Sequence, residues 1–340
     1  MTELNARRQA VLAIVVQEHI ASGSPVGSKT VVEEYQLKVS SATIRNEMKV
    51  LEETGLLTHP HTSAGRVPTE EGYRYFVQHL LPDRPLAPAD QRMIQHLFHQ
   101  VGHEKDQWAQ LAAAVLAHSS QMGALATQVR VESSRFKHMQ LVEVRPGLVL
   151  LVLVLHAGVV KQQMISLDLA VTQDDLSQVS NQLNDLLANL TVSEIRDWLP
   201  ELAPLGQQVL DLVVDTMESE DSPVSEQVYR DGLSHILMQP EFSATEDAHQ
   251  LVNVLEQATL LGNIFENVRS NDGVQILIGG DGRYDALRDL SLVLSRYGVD
   301  RNVTGVLGIV GPVRMHYGRT IPLVRYVAEL MSGLVQEWYT

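Results

Sequence analysis

Residues 40–68, Ser-Ser-Ala-Thr-Ile-Arg-Asn-Glu-Met-Lys-Val-Leu-Glu-Glu-Thr-Gly-Leu-Leu-Thr-His-Pro-His-Thr-Ser-Ala-Gly-Arg-Val-Pro, constrain this chain more than any other stretch. Ser40 or Ser41 can cap a helix start through its side-chain oxygen. Ile44, Met48 and Leu51 then recur at i, i+4 and i+7 and form one buried stripe. The same rotation turns Ala42, Arg45, Asn46 and Lys49 the other way. Arg can fork to guanine, Asn can pair with adenine, and a small Ala can touch a thymine methyl. An ordinary amphipathic helix with a solvated polar face would account for this helix alone, so its neighbours decide.

Upstream, residues 5–21 form an amphipathic helix through Val11, Leu12, Val15, Val16 and Ile20. Ser22-Gly-Ser-Pro25 ends it, because proline disfavours helix in the residue before it. Ser28 can cap a short helix over 29–35, packed through Val31 and Val32. Downstream, Gly55 stops the third helix. Residues 56–58 and 66–67 can pair as strands around a glycine-tipped turn, His59 to Gly65. The order helix, short helix, turn, recognition helix, hairpin is that of a winged helix-turn-helix. Arg45, Asn46 and Lys49 are then predicted to approach base edges beside Ala42. Ser41, Thr43 and Arg66, with His61 and Thr62 at the wing, are predicted to hold the backbone or the minor groove.

These residues also carry a family resemblance. Pro25-Val-Gly-Ser28, Ser41-Ala-Thr-Ile-Arg-Asn-Glu-Met48, Gly55-Leu-Leu57, His61-Thr-Ser-Ala-Gly-Arg66 and Pro68-Thr69 with Gly72-Tyr-Arg74 fall in order, and the chain resembles the HrcA heat-inducible transcription repressors over essentially its whole length. The resemblance implies a cytoplasmic homodimer binding an inverted-repeat operator before chaperone operons, released on heat stress and kept active by the GroEL chaperonin. It also implies a GAF-like domain split by a dimerising insert.

At 340 residues the chain is long enough for two or three domains. Its net charge of −15 at first argues against nucleic acid, but residues 1–85 sit near −1 and the remainder near −14. A local positive potential along the recognition helix can coexist with a repulsive acidic body. There is no Cys, which removes disulfides, thiolate metal sites and cysteine nucleophiles. The N-terminus shows no signal-peptide apolar core. The longest apolar run, Leu148–Leu155, is eight residues, against the roughly 20 that span a bilayer, so no membrane partner is expected.

Beyond a proline-rich linker at 81–88, the spacing predicts helices over 89–101 and 105–127 and an antiparallel meander over 136–144, 148–155 and 159–167. A helix over 172–190 follows, then consecutive helices over 193–267. Strands at 274–278 and 303–310 and helices at 284–297 and 320–338 complete the chain. The expected fold class is α+β. A winged helix-turn-helix domain occupies 1–84. A GAF-like α/β domain with linker helices takes 85–192 and 268–340, split by a helical dimerisation insert at 193–267. The meander is expected to pair with the strands at 274–310.

Other constellations carry less. Ile278-Gly-Gly-Asp-Gly-Arg-Tyr284 resembles the phosphohexomutase metal loop, but it has one carboxylate, so a tight turn explains it better. HrcA-like sequences tend to carry Glu-Asn where this chain has Asp281-Gly282. His96, His99 and His103 share a helix face without a nearby acidic second shell, and no metal is assigned. No catalytic motif and no cofactor signature stand out. Three readings follow: a non-enzymatic operator-binding repressor, a metabolite-responsive winged-helix regulator sensing a ligand in the GAF-like domain, and a phosphotransfer enzyme using Asp281. The residues favour the first.

Overall fold

The computed structural model describes residues 4–35, 39–60, 65–101, 105–131, 133–156, 159–167, 171–198, 202–221, 227–242, 252–255, 257–299 and 303–339. The chain is α+β and divides into two compact units. The first comprises Met1–Gln128, Val228–Tyr297 and Val306–Gly333, and the second Val129–Gln227, Gly298–Gly305 and Leu334–Thr340.

The first unit opens with α1 (Ala6–Ser22), α2 (Ser28–Glu34) and α3 (Ser41–Glu53), then β1 (Leu57–Thr58), β2 (Val67–Pro68) and α4 (Glu70–Tyr75). β1 and β2 pair antiparallel. Val26 and Arg66 add a bridge, exchanging N–H···O bonds of 2.8 and 2.9 Å. Gly65 makes that approach possible, since a Cβ there would lie 2.5 Å from the Val26 backbone. Val11, Leu12, Val15, Val16, Val31, Ile44, Leu51 and Leu57 are buried, which matches the stripes read from the sequence.

The linker at 81–87 leads into α5 (Pro88–Gln100) and α6 (Lys105–Ser120). The sheet of this unit runs β8 (Val228–Asp231), β3 (Gly123–Thr127), β11 (Val303–Pro312), β10 (Leu290–Val299), β9 (Val274–Ile278). β4 (Arg130–Val131) pairs with Val303 and Thr304 at the start of β11, positions that fall with it in the second unit. After the short α10 (Leu233–Leu237), α11 (Ala258–Ser270) buries Leu261, Ile264, Phe265 and Val268 in a core with Leu277, Leu292 and Leu294. α12 (Tyr317–Tyr339) contributes the buried Leu323, Val324, Val327 and Met331.

The second unit holds a three-stranded antiparallel sheet of β5 (Phe136–Arg145), β6 (Leu148–Leu155) and β7 (Val160–Ser166), in that order. With it go α7 (Gln173–Leu187), α8 (Val192–Asp197) and α9 (Pro204–Asp221). α7 closes the β5 edge with side chains. Asn184 accepts from Met139 N at 2.7 Å, Ser180 from Leu141 N at 3.2 Å and Gln173 from Glu143 N at 2.7 Å. That covers one of the two sheet edges, which otherwise invite pairing. β6 alternates strictly, with Val149, Leu151, Leu153 and Leu155 in the core and Leu148, Leu150, Val152 and Val154 half-exposed on the other face.

Several expectations change. Residues 123–127 leave the predicted helix and form β3, because Gln121 turns left-handed at φ 57°. Residues 228–231, placed among helices, form β8, and 290–297, predicted helical, lie within β10. β10 is buried on both faces. Such strands read as unbroken apolar runs that mimic a helix stripe. The meander does not join the strands at 274–310; it is a separate sheet. An insert is expected at 193–267; the segment 129–227, sheet and helices together, falls in one compact unit with 298–305 and 334–340. It enters at the tip of a β-hairpin, since β3 and β8 pair antiparallel with Thr127 opposite Val228. Nor does the 81–88 linker separate the compact units, since residues 1–128 stay together.

Candidate nucleic-acid interface

α3 begins at an N-cap Ser40 whose Oγ accepts from Thr43 N at 3.1 Å. Thr43 Oγ1 lies 2.9 Å from the same oxygen, which ties Thr43 to the cap and leaves Ser41 half-exposed beside it. Ile44, Met48 and Leu51 point inward, and Ala42, Arg45, Asn46 and Lys49 are exposed. The four lie at i, i+3, i+4 and i+7, one face of the helix. Lys49 has an i,i+4 partner in Glu53 at 3.7 Å, an exposed pair too weak to hold it from a phosphate.

Two glutamates on α3 brace this face, and nothing in their local spacing marks either as a brace. Glu47 accepts from Arg8 Nε at 3.0 Å and lies 3.7 Å from Arg7, fixing α1 against α3. Glu52 takes Arg66 Nη2 at 2.7 Å and also contacts His59 Nδ1. Arg66 is therefore turned back onto α3, and its buried Nε finds no hydrogen-bond partner among the described residues. The guanidinium predicted to reach DNA is a wing strut in this conformation. His61 and Thr62 lie outside the described residues. The wing continues into α4 through Thr69, whose hydroxyl donates to Gly55 O at 2.6 Å and accepts from Gly72 N at 3.0 Å as the N-cap.

The competing sites are weaker. Asp281 accepts from Arg74 Nε at 3.2 Å and Ile278 N at 3.3 Å, so its carboxylate is engaged in the fold. His96 and His99 are exposed on α5, and His103 lies outside the described residues. Among the described residues no three His, Asp or Glu side chains cluster as a metal site, and no helix is long and apolar enough to cross a membrane. A cavity between α11 and β9, lined by Ile264, Val268, Leu277 and Tyr284 among others, holds about 40 Å³. Metabolite pockets run from about 300 Å³ upward, so this cavity does not suit an effector.

Comparison with known proteins agrees with the geometry. The profile of the HrcA protein C-terminal domain family matches residues 106–321. A protein from Roseiflexus castenholzii named heat-inducible transcription repressor HrcA is 44% identical over 99% of this chain and 96% of its own length. The chain belongs to the HrcA family. Members named the same way in Herpetosiphon aurantiacus and Thermomicrobium roseum are 44% and 39% identical, covering 99% and 98% of this chain and 97% and 96% of theirs. A crystal structure described as a hypothetical protein shares the fold at TM-score 0.58 and 22% identity, covering 99% of this chain and 98% of that one. The family match thus extends across the α3 face and both compact units, and its members are heat-inducible transcription repressors.

Proposed function

We propose that this chain is a homodimeric repressor of chaperone operons that binds an inverted-repeat operator through α3, without enzymatic activity, in the cytoplasm. The observation that carries the reading is the exposed row Ala42, Arg45, Asn46 and Lys49 on a capped, braced helix. Arg45 and Asn46 supply the donors and acceptors that distinguish base pairs in the major groove. Ser41 and Thr43 sit at the helix start, where hydroxyls and backbone N–H groups meet phosphate. A phosphate at the wing would compete with Glu52 for Arg66, and His61 and Thr62 would approach the same strand.

An inverted repeat asks for two copies related by a twofold axis. The outer face of the β5–β6–β7 sheet supports that assembly. Val142, Val144, Val160 and Met164 are exposed large apolar residues there, beside Leu150 and Val152. β7 is the sheet edge that α7 does not cover.

The topology supports release on heating. β3 pairs with β8 about 100 residues later and with β11 about 180 residues later, so the sheet of the first unit closes only once the chain is nearly complete. Until then apolar strands are open to aggregation. A chaperonin would rescue such a chain, and chaperonin occupied by heat-damaged proteins would leave it inactive and the operator open. The test is a gel shift on an inverted-repeat duplex from a chaperone-operon promoter, after heating and refolding with and without GroEL and ATP. Shifted complex that recovers only with chaperonin is expected. No complex with the native protein overturns the operator reading, and full recovery without chaperonin overturns the heat mechanism.

A further inference from the structure

The loop Gly279-Gly280-Asp281-Gly282 has four successive residues in the left-handed region, at φ 60°, 70°, 51° and 67°. Three are glycines, which adopt it freely, and the fourth carries a side chain despite the strain. Asp281 uses that side chain to reach the winged module. Its Oδ1 lies 3.2 Å from Arg74 Nε, and Arg74 Nη2 donates to Ile278 O at 3.2 Å. Arg74 is on α4, 207 positions earlier, and its other nitrogens face Glu71 and Glu70 of its own helix. Both partners are mostly shielded from water, with side chains 26% and 21% exposed, so solvent screens the pair less than a surface bridge.

Two further contacts join the same parts. Tyr73, beside Arg74, is buried, and its hydroxyl lies 2.7 Å from His19 Nδ1 on α1. Its ring centroid is 6.2 Å from that of Tyr317 on α12. Tyr317 donates to Val313 O at 2.7 Å, close to Ser291 Oγ on β10. Arg314, just before α12, binds Glu241 and reaches Ile20 O at the end of α1 at 3.4 Å. The DNA module is therefore held at both α1 and α4 by the α/β sheet.

We propose that Arg74 and Asp281 form a latch that fixes the orientation of the recognition helix on the α/β core and so makes the repressor strict about the spacing between operator half-sites. The latch rests on the operator reading for its consequence, not for its existence. A module hinged freely at the 81–87 linker would reach half-sites over a range of separations. A module latched through a charged pair, a tyrosine contact and Arg314 presents α3 at one separation, and binding both half-sites then gains the full effective concentration only there.

The test uses the full-length protein with Asp281→Gly, which keeps the left-handed turn and removes the carboxylate, with Arg74→Ala, and with both together. Spin labels at Glu33→Cys and Asn263→Cys, in a chain with no native cysteine, report the distance between module and core. A narrow distribution is expected in the parent and a broadened one in all three variants. On inverted repeats of graded half-site separation, the parent should prefer one separation by about tenfold or more and the variants by less than about threefold. Affinity for a single half-site should stay within about twofold. Unchanged label distances, unchanged spacing preference, or a half-site affinity that falls with the full-site affinity would each overturn the latch. If the parent binds no inverted repeat, the operator reading fails, and the label distances still decide the latch.

Discussion

α3 and the β5–β6–β7 sheet each bury one face and expose the other, yet the faces left over are opposites. On α3 the exposed row is Ala42, Arg45, Asn46 and Lys49, groups that water solvates well. On the sheet it includes Val142, Val144, Val160 and Met164. Every Å² of that apolar surface left in water costs roughly 25 cal/mol. The helix face can wait in solvent for DNA, and a polyanion meets it through salt-sensitive contacts. The sheet face is destabilising until covered. Under the proposed function, the first face is a reversible recognition surface and the second a standing assembly surface.

The largest expected effect breaks the comparison by removing the sheet. Thr127 and Val228 are paired neighbours, so replacing residues 128–227 with Asn-Gly leaves a two-residue hairpin turn of a favoured type. The protein should sediment as a monomer with its winged module folded. Its affinity for the inverted repeat should drop by about 100-fold or more, the gain usually lost with bivalency. A dimer at micromolar concentration would move the interface to the first unit. A milder form is Met164→Asp, which sets like charges against each other across a twofold interface while the buried face of β7 is untouched. Monomer with an unchanged circular dichroism spectrum is expected, and persistent dimer would remove this face from the assembly.

Arg45→Ala comes next. It should weaken operator binding by about 1–3 kcal/mol, the worth of a bidentate base contact, and leave the melting temperature within about 1 °C, because an exposed change away from caps and core shifts stability little. Equal affinities for the two proteins would take Arg45 out of the recognition set. Ser40→Ala acts in the reverse sense. Losing the 3.1 Å bond to Thr43 N should cost about 1 kcal/mol of stability and reduce DNA binding only as far as the helix frays, which a denaturant titration alongside the gel shift would separate.

The module was legible because its elements are amphipathic and short-range. Ser40, the 44-48-51 stripe and Gly55 mark start, face and stop within 16 residues. Its braces were not, since the Glu47–Arg8 and Glu52–Arg66 pairs join positions whose proximity only the folded chain supplies. The α/β sheet was partly legible. β9 and β11 appeared as apolar runs, but β10 is buried on both faces and its Leu290, Leu294 and Tyr297 fit a helical stripe equally well. The boundary of the second unit was hidden for a related reason. The meander with its covering helix and the helices from 193 onward looked like separate regions, and only their shared core, from Met139, Leu151 and Leu183 to Val209 and Val213, makes them one. Asp281 was read as a turn residue, which it is, while its partner Arg74 lies too far away in sequence to suggest a pair.

The smallest effect concerns protons at the module's inner side, where neither exposed face is involved. Burial lowers the pKa of His19 below its usual 6.5, and nearby Arg314 lowers it further against the opposing pull of Glu241. The lowered pKa favours the neutral ring, whose Nδ1 lies 2.7 Å from the Tyr73 hydroxyl. The unfolded chain takes up the proton first as pH falls. Above about pH 6.5 the histidine adds no pH dependence, and below it stability is lost until the folded-state pKa is passed. His316, lowered by burial and by Arg314 and Arg319, adds in the same direction. His19→Asn keeps an acceptor near the Nδ1 position and cannot be protonated. Melting temperatures measured from pH 8 to pH 5 should coincide in slope down to about pH 6.5 and then fall less steeply for the variant. Parallel curves across the whole range would show that His19 protonates as easily in the folded protein as in the unfolded chain.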